Sequence, residues 1–503
     1  MTTPMEISER FTEEWADLSP SDATQAGIPG RDDSNTDFSP DGYAARNDLY
    51  QRTREELRRS PDSSSRDSFA AKVLQGWLDE EIAEFRDDKW CRDLNHSFSP
   101  FQRLRDTFDV MPRNTPEDLA IISERLAGLP AALSGYQQTL GVGLASKSVV
   151  ARRQVESIIQ QSDETASDDS RFIELIGQAA AVGADTTTVE RAVDVARMGF
   201  GSFAGWLRDD YLPAAADSDA VGEERYVAEA DRFLGMAIDP LETYNWGWSE
   251  VHRIREEMVA TAAEIDPSLS VYEVIDLLNT DPTRSAATRE DFVEFISRVQ
   301  EQAVAQLSGE HFDVPDEIKT VSVNMAPPGG SLGAWYVGPN EDFSRAGSIW
   351  YAPGERERLP YWDEVSTAYH EGFPGHHLQV GTAVLQKENL SRFQRTVIWY
   401  SGAGEGWALY AERLMDELGY FEKPEYRLGL LSSQLFRSVR VVLDIGCQLE
   451  LTIPDHAPLY PGDVWDYQHG VDYMTKVARQ PLDMSESEVT RYLGWYGQAI
   501  SYK

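Results

Sequence analysis

Cysteine, lysine, histidine and long apolar runs are all scarce in this chain, and each shortage excludes something. Only Cys91 and Cys447 occur in 503 residues. That is too few for a disulfide framework and points to a reducing interior. No run of about 18 apolar residues exists to span a bilayer. The opening MTTPMEISERFTEEWADLSP has neither the basic nor the apolar part of a signal peptide. The expectation is a cytoplasmic protein with no membrane partner. Positive charge is the largest deficit: 46 basic residues stand against 85 acidic ones, a net charge of −39. A surface of that sign excludes nucleic acid, whose phosphates need basic partners.

The acid is spread along the chain, as in RDDSNTDFSPDG, QSDETASDDSRF and AAADSDAVGEERY, and is not gathered in one tail. Self-repulsion at this density is costly in dilute buffer and is relieved by screening. The composition therefore reads as that of a halophilic, acidic protein. The content of 41% hydrophobic and 11% aromatic residues is ample for a packed core and argues against disorder over the whole length.

Turn-formers crowd residues 20–45, and residues 1–45 read as an irregular N-terminal segment packed on the body. From 46 to 312 the apolar residues recur at spacings of three and four, as in AAKVLQGWLDEEIAEF and TPEDLAIISERLAGL, which predicts helices. Thr115 followed by Pro116 and two acids is a helix start. The acidic SDETASDDS at 162–170 reads as a surface loop. Residues 313–360 change character. They are rich in Gly, Pro and aromatics, and AWYVG and GSIWYA predict two short strands joined by a turn. Helical period resumes at WDEVSTAYHE, and 313–503 reads as the catalytic region, continuous with 46–312. The predicted fold class is mainly α, with a small β-hairpin or short sheet ahead of a histidine cluster.

Three of the eight histidines fall in one window, YHEGFPGHHLQV at 369–380. His370-Glu371 looks like the first half of the zinc-peptidase helix motif H-E-x-x-H, in which two His one turn apart hold the metal and the Glu takes a proton from its water. Position 374, where the second His belongs, is Pro. On a regular helix, His376 lies about 600° around from His370, and His377 lies about 10 Å further along. Neither converges with His370 on bonds of about 2.0–2.1 Å. Gly372, Pro374 and Gly375 disrupt a helix, and a bulge through GFPG would swing His376 back. His376 is favoured over His377, which then becomes an outer partner or an alternate ligand. A third ligand is expected from a second helix. Glu405 in SGAGEGWALYAERLMDEL suits that role, with Glu412 on the same face seven residues on and small Ala408 between them.

These strings, YHEGFPGHHLQ, GEGWALYAERLMDELGYF, RLGLLSSQLFRSVRVVLDIG and RYLGWYGQAISYK, resemble the domain of unknown function 885 family, and the likeness covers most of the chain. The family is zinc-peptidase-like, similar in layout to helical oligopeptidases and thermostable carboxypeptidases. The resemblance implies a large helical bundle around a deep channel, with short strands before the zinc helix. It implies Zn2+ held by His370, His376 and Glu405, with Glu371 as general base. It also implies a late Tyr that stabilises the oxyanion: Tyr502, with Tyr492 and Tyr496 as rivals. Arg345, Arg440 and Arg491 are candidates for gripping a substrate carboxylate, or else form salt bridges. One departure stands out: where the family shows a His after the D-x-G step, this chain has Cys447 and Gln448, with Asp444 retained.

The expected function is a zinc-dependent metallohydrolase, of carboxypeptidase or oligopeptidase type, that cleaves short peptides by Glu-assisted attack of water. The alternatives are a metal-dependent hydrolase of a non-peptide amide or ester, and a non-catalytic binding protein on a peptidase fold.

Overall fold

The structure is a computed structural model that describes residues 2–61, 64–326, 332–354, 356 and 358–503. Helices dominate, so the mainly α fold class stands. The chain divides into two compact units. One comprises residues 2–218 with 383–398; the other comprises the described residues of 219–382 and 399–503.

The first unit corrects the expectation of an irregular N-terminus. Helix α1 (Pro4–Leu18) begins there with a capping box between Thr3 and Glu6. Its Ile7, Phe11 and Trp15, four apart, are buried. A short helix, Pro20–Gln25, follows, then α2 (Pro40–Arg59), α3 (Ser65–Arg86), α4 (Pro116–Ser146) and α5 (Thr186–Trp206). Pro4, Pro20 and Pro40 each sit in a first helical turn, where the missing N–H costs nothing. These prolines start helices; they do not break them. Thr115 caps α4 as expected, with its hydroxyl accepting from the Asp118 N–H at 3.1 Å. The predicted acidic loop at 162–170 is helical up to Ala166, because Ser162 and Thr165 face inward and are buried.

The second unit holds the histidine cluster. Its frame is α6 (Pro240–Ile265) packed along α11 (Pro424–Gln448). Gly247 lets them close: a Cβ there would lie 2.9 Å from Val441. Tyr244, Trp248 and Val251 share one core with Val439, Val442 and Leu443. The division between the two units falls at 218/219. Residues 219–312 belong with the histidine region because α6 buries its face against a helix nearly 200 residues away. Helix α7 (Arg289–Leu307) precedes a three-stranded sheet of β1 (Ser322–Met325), β2 (Gly333–Val337) and β3 (Ser348–Ala352). β2 and β3 form the predicted antiparallel pair, with Trp335 opposite Trp350. β1 adds in parallel on the other side of β3. Helices α8 (Glu364–Glu371), α9 (His376–Leu385), α10 (Ser401–Glu417) and α12 (Leu482–Gly494) complete the elements that carry the site, with α11 between α10 and α12 in the chain.

Candidate metal centre

Helix α8 stops at Gly372 and α9 restarts at His376, across a cis Phe373–Pro374 peptide. The break is satisfied by hydrogen bonds, as buried backbone requires. Gln300 of α7 donates to the Ala368 carbonyl and accepts from the Phe373 N–H, both at 2.7 Å. The Trp407 indole N–H donates to the Pro374 and Gly375 carbonyls at 3.0 and 3.2 Å. Gly375 is obligatory, since a Cβ there would sit 2.0 Å from the His370 carbonyl oxygen.

The break turns His376 back onto His370. His370 Nε2 and His376 Nε2 lie 3.1 and 3.4 Å from one oxygen, Glu405 Oε2. The three ligand atoms fall within 4.8 Å of one another, and all three residues are buried. On bonds of about 2.0–2.1 Å, tetrahedral ligands stand roughly 3.4 Å apart, so the donor set and its spacing fit zinc. The far nitrogen of His370 is held too: Nδ1 lies 2.7 Å from Glu412 Oε1. Glu412 in turn accepts from Ser366 Oγ at 2.6 Å and from Arg437 at 2.7–2.8 Å. A carboxylate behind a histidine sets the tautomer that presents Nε2 to a metal.

The electrostatics ask for positive charge at this point. Burial and Arg437 push His370 down, but hydrogen bonds to Glu405 and Glu412 outweigh them and raise it to about 9. Burial pushes Glu405 up, yet the two histidines hold it well below the usual carboxylate range. Burial likewise opposes ionisation of Glu412, and Arg437 with His370 brings it down to about 2. Glu371 is 8% exposed. Burial raises its affinity for a proton despite the nearby histidines. Among the described residues its carboxylate has no hydrogen-bond partner.

His377 points elsewhere. Its Nε2 donates to the Ile318 carbonyl at 2.9 Å, so its Nδ1 accepts from the Tyr336 hydroxyl at 2.9 Å. Both ring nitrogens are engaged, and burial lowers the ring to about 4. Glu412 stands behind His370 as an outer partner. The Tyr502 ring lies near-parallel to that of His370, with centroids 6.5 Å apart. Burial, then the charge of Glu405, keeps its phenol up at about 12, so it carries its proton at neutral pH. Tyr492 is turned away into hydrogen bonds with Glu488 and Arg440.

The candidate arginines are engaged by other groups. Arg440 and Arg491 both bind Glu488, at 2.8 and 2.9 Å. Arg345 donates to the Gly338 carbonyl at 3.3 Å beside the sheet. The Cys447-Gln448 departure is structural here. Gln448 accepts from the Val221 N–H and donates to the carbonyls of Tyr492 and Leu493. Sequence reasoning missed Arg437, Gln300 and Trp407. Arg437 carried one signal, a charge set among apolar residues in LFRSVRVVL; the other two carried none.

The comparisons with known proteins show the family and the fold. A family model described as "Bacterial protein of unknown function (DUF885)" matches residues 20–503. No curated protein matches the chain. Among solved structures, a putative lipoprotein from Colwellia psychrerythraea superposes with a TM-score of 0.83 at 20% identity, over 100% of this chain and 91% of that one. A putative lipoprotein of unknown function from Shewanella oneidensis gives a TM-score of 0.68 at 17% identity, with the same coverage. At these identities the likeness is one of fold. Among the described residues, no helix is long and apolar enough to cross a membrane.

Proposed function

This chain belongs to the DUF885 family of bacterial proteins of unknown function, and from its own site we propose that it is a zinc-dependent peptidase that hydrolyses short peptides. One observation carries the reading: His370, His376 and Glu405 converge beside a buried carboxylate, Glu371, that has no hydrogen-bond partner among the described residues. When bound, zinc would supply Lewis acidity to the scissile carbonyl and lower the pKa of water. His370, His376 and Glu405 would hold it, with Glu412 and Arg437 fixing the orientation of His370.

Glu371 takes the proton of the attacking water and returns it to the leaving amine. Its burial supports this, because a base must have a proton affinity raised toward the working pH. Tyr502 donates to the oxyanion that forms as water adds to the carbonyl. The resemblance in layout to helical oligopeptidases and thermostable carboxypeptidases favours a peptide as substrate. The capture of Arg440 and Arg491 by Glu488 speaks against either arginine as the grip on a free C-terminus.

The test is Glu371→Gln beside wild type, with zinc content by elemental analysis and turnover on a panel of di- to pentapeptides. We expect about one zinc per chain in both and a ~10²–10⁴-fold loss of turnover in the variant. Full activity in Glu371→Gln removes the assigned base. Zinc-loaded wild type that cleaves simple amides or esters but no peptide moves the reading to a non-peptide hydrolase. Purified protein without metal removes both.

A further inference from the structure

Tyr502 sits at the end of a chain of side chains whose hydrogen-bond directions are dictated from its far end. Glu488 accepts from Arg491 Nε at 2.9 Å and Nη2 at 3.0 Å, and from Arg440 Nη2 at 2.8 Å. Arg491 then donates from Nη1 to Gln498 Oε1 at 2.7 Å. A guanidinium has only donors, so the oxygen of the Gln498 amide must face Arg491. The amide cannot be flipped, although oxygen and nitrogen would otherwise be interchangeable. The Gln498 NH₂ therefore faces Tyr502 and donates to its hydroxyl oxygen at 3.2 Å.

A phenol has one proton to give. With its oxygen already accepting from Gln498, that proton has no acceptor among the described residues. The ring itself is pinned, with the Arg440 guanidinium 4.4 Å over one face and its plane at 21° to that of His370. Gln498 is 3% exposed and Arg491 is 8% exposed, so water does not compete freely for these groups.

We propose that Gln498, oriented by Arg491, is a positioning residue that makes the Tyr502 hydroxyl a one-way hydrogen-bond donor toward the His370–His376–Glu405 cluster. No proton is transferred; the network decides only which way the phenol donates. The inference rests on the peptidase reading solely in naming an oxyanion as the recipient. A glutamine that fixes a donor before substrate arrives lowers the reorganisation needed during the reaction. It acts through Tyr502 and does not itself touch substrate.

The experiment uses Gln498→Glu, Gln498→Met, Tyr502→Phe and the double variant Gln498→Glu/Tyr502→Phe, with two readouts. A carboxylate at 498 is close in shape, still pairs with Arg491, and would turn the phenol proton away from the cluster. In zinc-loaded protein, Tyr502→Phe should lose kcat by ~10²–10³-fold, the cost of one oxyanion donor. Gln498→Glu should approach that loss with KM changed by less than about twofold, and the double variant should be no worse than Tyr502→Phe alone. Gln498→Met, which frees the phenol without reversing it, should fall between. Losses that multiply, or an unimpaired Gln498→Glu, overturn the proposal. The second readout needs no activity. In metal-free protein labelled with ¹³Cζ-tyrosine, the Tyr502 resonance is the one lost in Tyr502→Phe. It should move downfield in Gln498→Glu, where the phenol donates to a carboxylate. An unmoved resonance overturns the proposal even if the enzyme is a peptidase. A moved one sustains it even if no peptide is cleaved.

Discussion

Two buried acid–arginine clusters lie in the same unit, and they are finished differently. Around Glu488, one carboxylate receives two guanidinium groups and a tyrosine hydroxyl. Around His370, three buried carboxylates, Glu371, Glu405 and Glu412, stand with one guanidinium, that of Arg437, and with the imidazoles of His370 and His376. Burying charge without compensation costs several kcal/mol per ion. In the first cluster every charged group is paired with another side chain. The second does so with a proton on His370, and that proton stands where a cation could replace it, among two histidine nitrogens and a carboxylate oxygen at zinc-like spacing. The difference separates a scaffold from a candidate site: both bury charge, but of the two only the second brings together three side chains able to hold a metal ion.

The largest effect expected from that difference comes at Gly375. A methyl group at this position would meet the His370 carbonyl at 2.0 Å and that of Tyr369 at 2.4 Å. Backbone on one side must move, and His376 moves with it. Gly375→Ala should abolish zinc binding, read as the loss of the zinc-dependent rise in melting temperature. With zinc at 100 times its Kd that rise corresponds to about 2.7 kcal/mol. A variant that still binds zinc at wild-type affinity would mean the break in the helix is not what brings His376 to the metal.

Removing one acid from each cluster sharpens the contrast. Glu488→Gln leaves two buried guanidinium groups without their partner and should destabilise the fold by ~3–5 kcal/mol, with zinc affinity unchanged once folded. Glu412→Gln frees His370 to rotate and should cost ~10–100-fold in zinc affinity. Equal loss of zinc affinity in the two would erase the distinction. The pH dependence of Glu488 follows its pairing. Burial opposes ionisation, but Arg491 and Arg440 hold it down to about 2, against an ordinary value of 4.5. Its stabilisation is complete above pH 4.5 and disappears as pH falls toward 2. Glu488→Gln should therefore approach wild-type stability in strong acid, as followed by urea unfolding between pH 2 and 6.

Much of this site was legible in the sequence because metal chemistry is local and demanding. Three His and a Glu in eight positions, interrupted by Gly-x-Pro-Gly, already implied a broken helix and a returning His376. Glu405 and Glu412, seven apart, both reach His370 from their common helix face, one at Nε2 and one at Nδ1. What stayed hidden is what depends on tertiary contact. Gln300 and Trp407 bridge the break through bonds to backbone, and no pattern marks such residues in advance. Arg440 and Arg491 had the right charge for a substrate carboxylate, but Glu488, 48 residues from the first and three from the second, claims both. At the N-terminus the composition misled: prolines counted as turn-formers are helix starts there.

The smallest effect expected at the metal centre is that of salt, and it distinguishes the buried clusters from the surface around them. Many of the acids are exposed, and their pairs with arginine, such as Arg59–Glu55 and Arg208–Asp163, are exposed on both sides. Such pairs contribute little singly, while the net charge of −39 repels itself over distances that ordinary salt shortens to about 8–10 Å. Raising salt from tens of millimolar to molar should therefore raise the melting temperature by several degrees as self-repulsion is screened. Buried pairs are screened far less, so zinc affinity measured over the same range, with ionic activity held in a metal buffer, should change by less than about threefold. Melting temperatures that coincide at low and high salt would remove the halophilic reading of the composition. A zinc affinity that followed salt as steeply as the melting temperature would mean that the acids around His370 are open to solvent.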